Sequence, residues 1–224
     1  MKKQPYLTIV VLISFLFLFS SCFEIIEDIK VNPDGSGHVK MTLNMSQSKT
    51  KLNSVLLLDS VNGYKVPSKS EIQARIDELV AVLKKTQGIS HVNKSINFDE
   101  FIFTIACDFN NTEALNIVIS NLGSIDEAKK IQQHKHFAYN KSSKTFSRSY
   151  HYDPAKEFKN INPKDQNIFE KASYTSIYRF ENTIKSSSNK NALISGNKKA
   201  IMLRVETQDL INNKKTIKNN IKLN

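Results

Sequence analysis

Residues 68–109, SKSEIQARIDELVAVLKKTQGISHVNKSINFDEFIFTIACDF, carry one complete helix signal followed by one complete hairpin signal. Ser68 with Glu71 three residues on forms a capping box, each side chain able to satisfy a backbone N–H left open at a helix start. Ile72, Ile76, Leu79, Val80 and Leu83 then recur at spacings of three and four, which puts them on one stripe. Lys84 and Lys85 fall where the helix dipole favours cations, and Gly88 supplies the stop. Ile89 to Ile96 predicts a strand, Asn97-Phe98-Asp99-Glu100 a turn, and Phe101 to Phe109 the return. Phe101, Phe103, Ile105, Cys107 and Phe109 share one face of that return strand; Ile102, Thr104, Ala106 and Asp108 share the other. A helix with one apolar stripe next to strands with one apolar face predicts docking of the helix on the sheet. Cys107, in the middle of an aromatic row, reads as a small buried hydrophobe, because a nucleophilic thiol needs an electropositive, accessible setting.

The flanking segments extend this unit. Phe23 to Val31 is an apolar strand, Asn32-Pro33-Asp34-Gly35-Ser36-Gly37 a strong turn, and His38 to Met45 a cleanly alternating return. The turn lacks the later acids of a calcium loop. A first helix is expected over 48–60, stopped by Asn62-Gly63, and a third from Asn110 as cap, with Leu115, Val118, Ile119 and Leu122 inward and Gly123 at its end. The order strand–strand–helix–helix–strand–strand–helix predicts an α+β fold, an antiparallel sheet with helices packed on one face.

The later half is more polar. Residues 131–152 suggest a hairpin carrying His134, His136 and His151; three imidazoles suit zinc, but no general base stands at helical spacing, so solvated histidines are expected and no metal or cofactor is assigned. Residues 154–173 suggest a helical excursion broken near Pro163, followed by strands through Tyr178-Arg179-Phe180 and Ile201, Leu203 and Val205. The Asn- and Lys-rich tail, 212–224, reads as surface strand or frayed end. Residues 22–224 are expected to form a single exported domain, with a weak boundary near 124–131.

The address is written at the N-terminus. Lys2 and Lys3, an apolar core from Leu7 to Phe19, and Ser20-Ser21 before Cys22 make an export signal over residues 1–21. As helix, thirteen residues at ~1.5 Å each span about 20 Å, short of the ~30 Å hydrocarbon layer. Small residues directly before a cysteine resemble a bacterial lipoprotein signal. That resemblance implies lipidation of Cys22, with two or three acyl chains of the palmitate kind holding the protein on the cell or outer membrane, outside the cytoplasm. Removing 21 residues leaves 224 − 21 = 203 and lowers the net charge from +11 to +9, since Lys2 and Lys3 leave without an acid. A basic mature chain favours anionic lipid or an envelope glycan as partner; the exported address argues against nucleic acid. With Cys22 acylated, Cys107 stands alone and no internal disulfide can form.

No phosphate loop, paired-cysteine motif or nucleophile elbow is present, and the acids, such as Glu27–Asp28, read as short surface groups. The Cys22-to-Met45 segment, with its Asn32–Gly37 turn, and the late run from Tyr178 through Asn189 to Lys199–Val205 resemble the LppM-like lipoprotein domain family of mycobacteria. The resemblance implies an envelope setting and lipid or glycolipid handling. The expected function is a membrane-anchored, non-enzymatic interaction or structural role, alone or with an envelope protein partner. The alternatives are an amphiphile binder and an envelope hydrolase, metal-dependent or not. Should the core be hollow, Leu79, Leu83, Phe101, Phe103 and Ile105 are the expected pocket wall; the same residues would serve a closed core equally well.

Overall fold

The computed structural model describes residues 23–123, 135–150, 153–169 and 171–224; the leader, Cys22, His134, His151 and the 124–131 boundary lie outside them. The chain opens with β1 (Glu24–Val31) and β2 (Gly37–Asn44), then a 3-10 turn over Ser46–Ser48 that runs into α1 (Lys49–Val55). A miniature hairpin of β3 (Ser60–Val61) and β4 (Tyr64–Lys65) leads to α2 (Lys69–Lys85), β5 (Ile89–Asn97), β6 (Ile102–Phe109) and α3 (Thr112–Gly123). Next come β7 (Phe137–Asn140), β8 (Thr145–Arg148), α4 (Pro154–Asn160) and α5 (Pro163–Phe169). The chain closes with β9 (Ser173–Phe180), β10 (Ile184–Ser187), β11 (Leu193–Ile194), β12 (Ala200–Glu206), α6 (Thr207–Ile211) and β13 (Asn219–Leu223).

These strands form a seven-stranded sheet in the order β11-β12-β9-β1-β2-β6-β5 and a four-stranded sheet in the order β10-β13-β8-β7. Every pairing is antiparallel except β1 with β9 at the centre of the large sheet, where Ile29 faces Tyr178. The fold is α+β, as the patterning predicts. The register gathers one inward face: Ile25, Glu27, Ile29 and Val31 of β1 stand beside Leu43, Met41 and Val39 of β2, which stand beside Phe103, Ile105 and Cys107 of β6. The outward face is polar, and it is laced by Arg204–Glu24 at 2.5 Å, Arg179–Asp28 at 3.0 Å and His38–Asp108 at 2.7 Å.

The inward face has two covers rather than one. Helices α2 and α3 lie over the β6 side, where Leu83 and Val118 pack with Cys107. The four-stranded sheet lies over the rest, and Phe137, Phe146, Ile221 and Leu223 pack there with Ile29, Tyr178, Phe180 and Ile201. The second sheet joins the expected helices on that face. It corrects the reading of the tail: β13 is an inner strand between β10 and β8, with Ile221 fully buried. Asn189 holds it there, its Nδ2 donating to the carbonyls of Thr216 at 2.8 Å and Lys218 at 2.9 Å.

Local signals act largely as read. The Ser68–Glu71 capping box is present in both directions, 3.1 Å from the Glu71 amide to Ser68 Oγ and 2.8 Å from the Ser68 amide to Glu71 Oε2. Three readings change. Helix α1 ends at Val55, not near residue 60, because Asn62 (φ 53°) and Gly63 (φ 86°) take the paired left-handed conformations of a two-residue hairpin. The cap of α3 is Asn111, whose Oδ1 accepts from the Ala114 amide at 3.0 Å, not Asn110. Phe101 sits at φ 51° in the turn before β6, although its ring stays buried.

Candidate functional site

Between α2 and the inward face the packing is incomplete. Two adjoining apolar cavities, about 650 Å³ and about 620 Å³, share Met41, Leu79 and Ile105 as a common waist. The first is roofed by Ile72 and Ile76 of α2, floored by Leu43 and Phe103, and closed at one end by Leu52, Val55 and Leu56 together with Val66 and Pro67. Ile25 and Met41, each a little over a third exposed, mark where it opens. The second runs under Leu83 and α3 (Leu115, Val118, Ile119) towards the four-stranded sheet.

The hollow has a structural cause. The stripe of α2 offers only isoleucine, leucine and valine, with no aromatic ring to reach the sheet. Helix α1 buries none of its own residues, so it stands as a wall and not as a plug. The Lys94–Asp77 ion pair ties β5 to α2 at the outer edge. Each volume lies within the range of small-molecule sites. A methylene is about the size of a water molecule, which takes about 30 Å³ in the liquid, so 650 Å³ holds on the order of twenty such units.

The far end of the second cavity is polar. Glu27, 4% exposed, accepts a hydrogen bond from Tyr178 Oη at 2.6 Å and lies 3.4 Å from Arg148 Nε. The Arg148 guanidinium sits 4.6 Å from the Phe137 ring centre and donates from Nη1 to the Ser149 carbonyl at 2.7 Å. Arg148 Nε and Tyr174 Oη are shut from solvent with no well-aligned hydrogen bond among the described residues. Burial alone would lower the Arg148 pKa, but the Glu27 carboxylate, with Tyr174 and Tyr178, outweighs it and holds the guanidinium charged. Burial, reinforced by the Glu27 charge, pushes both tyrosines well above their ordinary value. The group is a charged pair with neutral phenols at the end of the second cavity. Chemically it can orient a polar head.

All five residues named from sequence border this space: Leu79, Phe101, Phe103 and Ile105 the first cavity, and Leu79, Leu83 and Ile105 the second. Glu27 was placed on the surface and is not there. Its position between Ile25 and Ile29 in an alternating strand was the available signal, since alternation points all three the same way. Arg148 and Tyr174 had no such marker, because their places depend on which strands meet. Cys107 is buried, and burial, with Asp108 beside it, pushes its thiol up to about 11. His136 borders the second cavity. Among the described residues no three His, Cys, Asp or Glu side chains are grouped to hold a metal, and no helix is long and apolar enough to cross a membrane.

No family model and no curated protein matches the chain. Among solved structures, the NMR structure of the folded domain of LppM from Mycobacterium tuberculosis is similar over 90% of this chain and 88% of that one, at 7% identity and a TM-score of 0.41.

Proposed function

We propose that the mature chain is a lipid-anchored envelope protein, without enzymatic activity, that holds an acyl-chain amphiphile between α2 and the large sheet. The observation that carries this reading is the pair of adjoining cavities with almost wholly apolar walls and one buried polar end. Cys22, acylated, would keep the protein on the outer side of a bilayer, where amphiphiles are the abundant apolar ligands. Burying about twelve methylenes at ~0.8 kcal/mol each supplies on the order of 10 kcal/mol before the costs of association, enough for a stable complex. A solid core would have supported a purely structural role instead.

The test is native mass spectrometry of protein extracted gently from membranes, beside a Leu79→Trp variant that fills the waist. A lipid adduct on the wild type, reduced at least tenfold in the variant, is expected. Bare protein in repeated preparations, with no uptake from added vesicles, would overturn the assignment. A second reading, docking of an envelope protein, has its own observation: edge strand β11 presents Leu193 at 66% and Ile194 at 42% exposure.

A further inference from the structure

The segment joining α1 to α2 carries the most exposed large apolar side chains on its own end of the fold: Leu57 at 86%, Tyr64 at 57% and Leu58 at 52%. Single exposed leucines are ordinary. Three such groups on one short excursion, ended by the Asn62–Gly63 hairpin, form a tip. Its flanks are basic: residues 49–69 hold Lys49, Lys51, Lys65 and Lys69 against Asp59 alone, 4 − 1 = +3. Lys49 and Lys65 bridge to Glu100 and Glu71, each at 2.7 Å, with both partners substantially exposed. Counting those two glutamates leaves a net +1, with Lys51 and Lys69 outside the two bridges, so the apolar tip sits in a weakly cationic collar, which matches the layering of an anionic bilayer, headgroups outside and hydrocarbon within.

Two further contacts fix where the tip lies. Asn62 Nδ2 donates to Asp165 Oδ1 of α5 at 3.2 Å, and Phe169 at the other end of α5 meets Phe23 edge-on, with ring centres 5.8 Å apart. Phe23 adjoins Cys22 in the chain, and Ile25 borders the mouth of the first cavity. The tip, the start of the mature chain and the cavity mouth therefore share one end of the molecule. Leu52, Leu56 and Val66, on either side of the tip, are themselves cavity wall.

We propose that Leu57, Leu58 and Tyr64 insert into an anionic lipid bilayer, with the neighbouring lysines at headgroup level, so that the first cavity opens onto the membrane. An acyl chain then moves between bilayer and cavity without crossing water. The transfer role rests on the amphiphile reading above; the docking does not.

Because the chain has no tryptophan, Leu57→Trp installs a single reporter. The protein is taken from residue 22 onward with Cys22→Ser, which removes the acyl anchor and keeps every described element. Vesicles of equimolar phosphatidylglycerol and phosphatidylcholine are expected to shift the emission to the blue, and bromine on the lipid chains to quench it. Phosphatidylcholine alone, or 500 mM salt, should weaken partitioning at least fivefold. Read by co-sedimentation with the same vesicles, Leu57→Ser with Leu58→Ser should lower partitioning at least tenfold, while Leu193→Ser with Ile194→Ser, on the edge strand β11, should leave it unchanged; both pairs are exposed, so the fold is not at stake. Unshifted emission with anionic vesicles would overturn the docking, as would a blue shift that grows with protein concentration in the absence of vesicles, the sign of a second copy on the tip. Lipid adducts without insertion would overturn this proposal and leave amphiphile binding standing. Insertion by a protein that never takes up lipid would overturn the transfer role alone.

Discussion

Where the four-stranded sheet meets the large one, Phe146, Ile29 and Ile221 are completely shielded from water, whereas under α2 the inward residues Leu79 and Ile105 border open space. The strands beneath both covers alternate in the same way. What differs is the cover. Two stacked sheets interdigitate pleat against pleat at ~10 Å, and here a cluster of rings, Phe137, Phe146, Tyr178 and Phe180, fills the layer. A helix presents a curved surface, and α2 presents only aliphatic side chains along it. The closed half holds the fold together, and the hollow half is free to hold something else.

Substitutions should separate the halves. Phe146→Ala removes a fully buried ring at the junction of three others and should cost about 4 kcal/mol in urea unfolding, with Leu79→Ala below 2 kcal/mol because its neighbours already border a void. Equal costs would mean the two halves are packed alike. The seam between them is the Glu27–Arg148 pair. Arg148→Met strands the buried carboxylate and should cost about 3 kcal/mol, and adding Glu27→Leu should recover most of it. A double variant no better than the single would assign the pair a packing role only.

The smallest effect concerns Cys107, in the helix-covered half. Its thiol titrates near 11 in the fold against 9.0 when exposed, so the fold binds the proton more tightly than the unfolded chain does between those values. Stability from this group is complete below pH 9 and is lost as pH rises through 11, a decrease of about 1 kcal/mol by pH 10. Cys107→Ala should flatten that part of the pH profile, and in the native protein the thiol should react with iodoacetamide far more slowly than a free cysteine at pH 8.

The elements that local chemistry dictates could be read before the structure was known. The Ser68 capping box, the Asn32–Gly37 turn and the alternation of β6 each depend on neighbours in sequence. The late segments depended on distant partners. Nothing within residues 212–224 says that Ile221 and Leu223 will meet Phe146, and a run of Asn and Lys looks like solvent-facing chain until Asn189 reaches across to hold it. The cavity wall was legible as a list of apolar residues, but solid and hollow packing share the same list. The Asn62-Gly63 pair was read as a helix stop when it is also a hairpin signal, and that second meaning builds the exposed tip.

The parallel pairing of β1 with β9 has a consequence for how the protein comes into being. Glu24 and its partner Ser173 are 149 residues apart, about two thirds of the 224-residue chain, so the first strand to emerge waits for a late one. Until then, the middle of the finished sheet is a bare rim of unsatisfied N–H and C=O groups. Any product cut short before Ser173 keeps that rim for good. Completeness of the chain is thus checked by the fold itself, at its first strand.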